Sequence, residues 1–268
     1  MNPLISIIIA VRNGEPYLPR ALDSIANQTY QGPVEVILID DGSTDQTAQI
    51  ASAHSLSPRL LRNKKSEGAG AARNQGVQAS KGPWLAFLDA DDSWHQDKLR
   101  LQLQLAGDHD DPALLFTRYR RVALKEHGPS LPRKDHPAKS LDPPVLERLL
   151  RQNFIGTSTV LLRREAFLKA GGFPNLPKGQ DYALWLRVAS QNRLAFLPQI
   201  LTYYGVHEGN RVGPSEREAA KAGLKALQDF QDWMTQDGDS ILGKWDFWKA
   251  RQRRRATLLG SALKSALR

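Results

Sequence analysis

Carboxylates placed at the ends of apolar runs are the chemically telling feature of this sequence. DADD, Asp89 to Asp92, follows the run WLAFL, and DDGSTD, beginning at Asp40 and Asp41, follows VEVILI. Arg12 and Asn13 follow the first run, LISIIIAV, which carries Ala10 near its end. Three carboxylates in four residues repel one another unless a cation or donor network neutralises them. An Asp-x-Asp offers hard oxygen ligands to Mg²⁺ or Mn²⁺, ions that keep waters and engage phosphates. The simpler reading of DADD is a turn in which Asp92 or Ser93 caps the next helix. For DDGSTD, Gly42 makes the turn and Ser43 or Thr44 caps, which leaves two successive acids unexplained. Such a carboxylate can accept from the ring N–H of a uracil or thymine, or from a ribose hydroxyl. A fourth segment, EGAGAARNQG, puts Arg73 and Asn74 near the start of an Ala-rich helix, where an anion can approach. Its glycine spacing fits neither a P-loop nor a strict dinucleotide fingerprint.

The elements that must position these groups alternate. Leu4–Val11, Val34–Ile39, Arg59–Arg62 and Trp84–Leu88 read as strands. The first is a continuous apolar run of the kind buried on both faces, and the fourth, WLAFL, reads as another buried strand. Helices are expected from the spacing of Leu18, Leu22 and Ile25, over Thr44–Ala53 and Ala69–Ala79, and from Asp97 to Leu105. This order implies an α/β fold with a mostly parallel sheet, whose polar loops share the carboxyl edge where ligands bind. Further on, Thr157–Arg163 reads as a strand, Arg164–Ala170 and Asp181–Ala189 as helices, and Gly128–Pro144 as a loop. Ser215–Met234 reads as a long helix, followed after a break by an amphipathic one over Ile241–Leu267.

The chain has 268 residues, 41% hydrophobic and 24% charged, ordinary for a globular protein. It has no cysteine, which excludes disulfides, thiolate metal sites and cysteine nucleophiles. The net charge is +9, and the segment from Lys244 to Arg268 holds eight basic residues against Asp246 alone, so that segment carries +7 of it. Its basic residues stand among Trp245, Phe247, Trp248 and a series of leucines. That composition suits an anionic membrane surface, or a helix whose aromatics close the core while its arginines are solvated. A nucleic-acid partner is not expected, since nothing in the body supports base readout. No apolar run approaches the roughly 20 residues needed to span a bilayer, and no signal peptide is evident. A cytoplasmic protein, at most peripheral at the plasma membrane, is the expectation.

Together, six segments in order resemble the family-2 glycosyltransferases, the inverting group with the GT-A fold. They are SIIIAVRN (Ser6–Asn13), DDGSTD (Asp40–Asp45), GAGAARNQG (Gly68–Gly76), FLDADDSW (Phe87–Trp94), AGGFPNLPKGQDYALWLRVA (Ala170–Ala189) and YYGVHEGNRV (Tyr203–Val212). The chain departs from the family pattern at Ala10 (usually Pro), Arg12 (usually aromatic), Gln180 (usually Glu) and Gly205 (commonly Arg). The resemblance implies a catalytic domain over 1–214, with a donor half at 1–106 and an acceptor half at 107–214, and a helical extension at 215–268. It implies a nucleotide-diphospho-sugar donor bound by Ala10, Arg12, Asn13, Asp40, Asp41, Arg73, Asp89 and Ala90. Asp41 would contact the base, Asp40 would support its loop and Asp89 would meet ribose or metal-bound water. Mn²⁺ or Mg²⁺ would be held by Asp91, with His207 near the ion or diphosphate. Asp181 would be the general base toward a glycan or lipid-linked acceptor. Trp94, Trp185 and Tyr204 could stack on sugar rings, although aromatics at such positions more often belong to the core. Two rival readings are a nucleotidyltransferase that makes sugar nucleotides, against which AVRNGEP lacks a rich glycine loop, and a non-catalytic binding relative, favoured by Gln180 and Ala10.

Overall fold

A computed structural model describes residues 2–108, 111–124, 139–140, 145–207 and 216–237. In chain order the elements are β1 (Ile5–Val11), α1 (Leu18–Ala26), β2 (Val34–Asp40), α2 (Thr47–Ala53), β3 (Arg59–Arg62), α3 (Ala69–Ala79), β4 (Trp84–Phe87), β5 (Ser93–Trp94) and α4 (Lys98–Asp108). Then follow β6 (Leu114–Ala123), β7 (Lys139–Ser140), α5 (Val145–Arg151), a 3₁₀ turn (Thr157–Thr159), β8 (Leu161–Arg163), α6 (Arg164–Lys169), α7 (Gln180–Gln191), β9 (Leu194–Val206) and α8 (Glu216–Asp237).

All the strands join one sheet in the order β3-β2-β1-β4-β8-β6-β9-β5, with β7 also on β9. The four strands β3-β2-β1-β4 are parallel throughout, as their apolar runs and intervening helices predict. β8 enters antiparallel to β4 and β6, and β6 and β9 run parallel to each other over ten residue pairs. Parallel ladders therefore carry most of the pairing.

β1 shows why the first half is legible. Ile8 packs under α3 with Ile37, Ile39 and Phe87, whereas Ile5, Ile7 and Ile9 face α1 and α4 through Leu18, Leu22 and Leu99. Both faces are covered, and the one polar residue of the strand, the buried Ser6, donates its hydroxyl to Glu35 at 2.5 Å. α3 lies very close to the sheet because Gly76 has no side chain: a Cβ there would come within 2.6 Å of Ile8 and Ile39. That approach carries Arg73, one turn earlier, over the strand ends.

Several expectations need correction. α2 begins at Thr47, not Thr44, and neither Ser43 nor Thr44 caps it. The Ser43 hydroxyl accepts from the Asn13 amide at 2.9 Å and the Thr44 amide donates to Asn13 Oδ1 at 2.9 Å, so both are tied to the loop after β1. The N-cap position falls on Gln46, whose side chain makes no capping bond, and Asp45 just before it accepts from the Thr47 amide at 3.1 Å. Asp92 and Ser93 cap no helix either; Ser93 starts β5, and α4 begins only at Lys98. The first three residues of Thr157–Arg163 form the 3₁₀ turn, and only Leu161–Arg163 pair as strand. The expected loop at Gly128–Pro144 contains the short β7, with its remaining residues outside the described ones, as is the helix expected over Ile241–Leu267. Among the described residues no helix is long and apolar enough to cross a membrane.

Candidate active site

The carboxyl ends of β1, β2 and β4 are laced together. Asn13 adopts a positive φ of 53°, and Gly14 N–H donates to Thr47 Oγ1 at 2.9 Å. Asp41 N–H donates to Val11 O at 2.8 Å. Asp40 is fully buried; it accepts from the Ser43 amide at 2.8 Å and from Arg62 Nε at 3.0 Å. Asp41 accepts four bonds, from Asn63 Nδ2, Ser66 Oγ and the amides of Glu67 and Gly68, at 2.7–3.0 Å. Burial pushes the Asp41 carboxyl up, but these donors outweigh it and hold it below the usual carboxylate range. The first two acids of DDGSTD, Asp40 and Asp41, thus shape the floor between β1, β2 and α3. Arg12 is exposed at its rim, and Ala10 is partly buried beside the core.

The DADD turn closes with an Asp92 N–H to Asp89 O bond of 3.0 Å. Asp89 pairs with the buried Arg73 guanidinium, which also lies 5.5 Å from the Phe173 ring centroid. Asp91 lies 3.3 Å from His207 Nε2, and His207 stacks on Tyr17 with ring centroids 4.5 Å apart. Asp92 points inward and accepts from the Gly205 amide at 3.0 Å. Burial and the neighbouring Asp89 raise the Asp91 carboxyl; burial together with Asp89 and Asp91 raises Asp92 far more. The turn therefore holds more negative charge than its surroundings neutralise, which is the environment a cation relieves. Among the described residues no cluster of three or more metal-ligating side chains exists. The Asp91 carboxylate nevertheless fits Mn²⁺ or Mg²⁺, which commonly take one or two carboxylates and complete their shell with water and substrate phosphate, and His207 Nε2 stands beside it. Ala90, between the two acids, comes near Gly14, where a Cβ would lie 3.5 Å from Ala90 Cβ.

Asp181 faces this turn across a cavity of about 440 Å³ whose lining includes Asp89, Asp92, Tyr119, Asn153, Thr157 and Tyr204. It sits in the first turn of α7, after Gly179, whose φ is +84°. Its Oδ1 accepts from the Tyr182 amide at 2.7 Å; Asn153 Nδ2 and Thr157 Oγ1 both stand 3.4 Å from Oδ2. Burial raises the Asp181 carboxyl above the usual range; the Tyr182 amide and Arg73 oppose that, and Asp89 reinforces it. Arg73 thus acts on both acids. Its neighbour Asn74 pins the preceding segment, bonding Phe173 O at 2.8 Å and the Phe173 amide at 3.0 Å.

Some contributors were not anticipated. The 3₁₀ turn presents Thr157 to Asp181, and Ser158 Oγ accepts from the Asp89 amide at 3.1 Å. Trp94, expected as a possible stacking ring, is buried beneath that turn with Nε1 bonded to Ser158 O at 2.7 Å. Trp185 is fully buried in the core; Tyr204 does line the cavity. The TST segment was the one sequence signal for the turn, hidden inside a run that reads as a strand.

Strands ending in acidic loops, a curled mixed sheet and a carboxylate across the cavity define a GT-A-type glycosyltransferase domain. Residues 6–168 match the family described as Glycosyl transferase family 2, and the chain belongs to it. A putative teichuronic acid biosynthesis glycosyltransferase, TuaG of Bacillus subtilis, is 30% identical over 231 residues, 82% of this chain and 85% of TuaG. The Escherichia coli protein WfaP, named a UDP-Glc:alpha-D-GlcNAc-diphosphoundecaprenol beta-1,3-glucosyltransferase, is 32% identical over 213 residues, 77% of this chain and 79% of WfaP. The mannosyltransferase PcManGT of Pyrobaculum calidifontis, solved with GDP-Man and Mn²⁺, shares the fold. Its TM-score is 0.67 at 17% identity, covering 98% of this chain and 76% of PcManGT. The family match ends before Asp181 and His207.

Proposed function

We propose that this glycosyltransferase is an inverting, metal-dependent enzyme. It moves a sugar from a UDP- or dTDP-linked donor to a hydroxyl of a glycan or lipid-linked acceptor, in the synthesis of a cell-surface polysaccharide or glycolipid. The observation that carries the reading is the placement of Asp181 across one cavity from the Asp89–Asp92 turn, with Arg73 between the two acids in electrostatic terms. WfaP's UDP-glucose donor and TuaG's pathway support the substrate class.

In this reading the donor's base and ribose lie along Ala10, Arg12, Asn13, Asp41 and Ala90, the buried Asp40 supports that loop from beneath, and Asp89 meets ribose or the ion's water. Asp91 and His207 would hold Mn²⁺ or Mg²⁺, which supplies charge stabilisation for the departing diphosphate. Asp181 accepts the proton of the acceptor hydroxyl as its oxygen attacks the anomeric carbon from the far face. The new C–O bond forms as the bond to the diphosphate oxygen breaks, through an oxocarbenium-like transition state, and the anomeric centre inverts. A carboxyl raised by burial is the stronger base once ionised, and Asn153 and Thr157 keep it aimed at the cavity. The basic segment 241–268 would bring the enzyme to an anionic membrane surface.

The test is transfer to a short-chain α-GlcNAc-diphospho-lipid from UDP-, dTDP- and GDP-sugars, with the product's anomeric configuration read by NMR. A β-linked product from an α-linked donor is expected. A retained configuration, or no transfer from any donor, would overturn the reading.

A further inference from the structure

Beside the Asp181 cavity, the pairing of β6 with β9 breaks in a specific way. Thr117 pairs with Leu197, Arg118 with Ile200 and Tyr119 with Thr202, so β9 carries extra residues at two successive steps. Pro198 lies in that irregular stretch and has no amide to give to a ladder. Bulges re-aim the side chains around them. Here four consecutive residues, Arg118 to Arg121, are exposed, where a regular strand would alternate.

The result is a second groove of about 260 Å³, contiguous with the first: Tyr119 and Phe154 line both. Its floor is aromatic. The Phe116 ring centroid lies 5.8 Å from that of Phe154 and 5.0 Å from that of Phe196. Its rim is cationic. The Arg148 guanidinium sits 5.0 Å from the Phe154 centroid, Arg118 sits 5.8 Å from Phe196, and Arg121 stands 5.6 Å from Tyr204 at the neighbouring cavity. Among the described residues none of these three guanidinium groups has a hydrogen-bond or ion-pair partner, and no acid lines the groove. A free phosphate or an anionic glycan would satisfy the arginines but not the aromatic floor. A neutral glycan would use the rings and leave the cations unmatched. A lipid diphosphate uses both.

We propose that this groove binds the diphosphate and first isoprenoid units of a polyprenyl-diphosphate-linked acceptor. Arg118 and Arg148 hold the diphosphate, the partly exposed Phe154 and Phe196 carry the lipid over the buried Phe116, and the linked sugar reaches past Tyr119 into the cavity of Asp181. The inference rests on the transferase reading above and names the acceptor class for the same site.

The test is calorimetry on the full chain saturated with UDP at constant Mn²⁺, titrated separately with geranyl diphosphate, inorganic pyrophosphate and geraniol. Geranyl diphosphate should bind at least about tenfold tighter than either fragment. The Arg118→Gln/Arg148→Gln double variant should lose about tenfold or more of that affinity, which is about 1.4 kcal/mol or more. Its melting temperature and UDP affinity should be unchanged, because both side chains are exposed and outside the donor floor. Geranyl diphosphate binding equal in wild type and double variant, or no tighter than pyrophosphate, would overturn the inference. Arginine-dependent binding without any UDP binding would instead sustain the groove and overturn the donor reading.

Discussion

Replacing Gly205 by alanine should cripple the site through the backbone of the Asp89–Asp92 turn, with every side chain of the site kept. Gly205 lies in β9, and its amide donates to the inward-pointing Asp92. A Cβ at that position would fall 1.9 Å from the backbone oxygen of Asp91 and 2.6 Å from Leu124 Cδ2. The leucine methyl can rotate aside. The Asp91 carbonyl cannot, since it belongs to the turn that carries the proposed metal ligand. To reach the 3.0 Å below which real Cβ contacts are not found, that carbonyl must retreat by about 1.1 Å. A misplacement of about 1 Å costs roughly 10²-fold in rate, and overpacking of this kind destabilises by about 1–3 kcal/mol. The expected outcome is a folded protein that melts a few degrees lower, with donor turnover down about 100-fold and weakened Mn²⁺-dependent UDP binding. The measurements are a UDP-release assay and a thermal melt on the two proteins side by side. Wild-type turnover and stability in Gly205→Ala would refute the argument that the β9 backbone sets the position of the Asp91 turn. The same crowding accounts for glycine where the resembled family commonly has arginine: here even a Cβ collides.

Three further outcomes follow from the charges. Asp181→Asn should reduce kcat by about 10²–10⁴-fold with UDP affinity unchanged. It should also raise the melting temperature at neutral pH. The Asp181 carboxyl is raised in the folded state, so folding binds a proton more readily than the unfolded chain, and stability falls as pH climbs from the unfolded value of about 3.9 through the raised one. Arg73→Gln removes a cation that opposes that rise, so the acidic limb of the kcat/KM profile should move to higher pH; an unmoved limb would show that Arg73 does not act on the base. Lys98 is fully buried, with its Nζ 2.7 Å from Gln102 Oε1 and 4.3 Å from the Trp94 ring centroid, and burial depresses its pKa strongly. Its unfolded form binds a proton that the folded form resists, so stability should rise with pH between the depressed value and about 10.4, and Lys98→Met should abolish that slope in melts taken across pH.

The first half of the chain was legible because its strands are covered on both faces. Ile5–Val11 and Val34–Asp40 are mostly apolar, interrupted only by Ser6 and by Glu35 before the terminal Asp40, and the glycine at position 76 marks where α3 presses on them. The second half hid its long strands. β6 exposes four residues in a row, and β9 contains Pro198, Gln199 and Gly205, so neither shows a clean period of two or a closed apolar run. The acids of the site were visible as types at strand ends and before α7. Their partners were not, because Ser158, Asn153 and Thr157 acquire roles only when the 3₁₀ turn is folded between β4 and α7. Ser43 and Thr44 looked like caps because local sequence cannot show that Asn13, thirty residues away, engages them first.

The most direct test of the account is calorimetric titration of UDP into the purified chain, with and without Mn²⁺, beside the Asp91→Asn variant. The account predicts binding that requires Mn²⁺ and is lost in the variant. Absence of binding to UDP, dTDP and GDP alike, with or without the ion, would contradict it and leave DADD as a turn that only ends a strand.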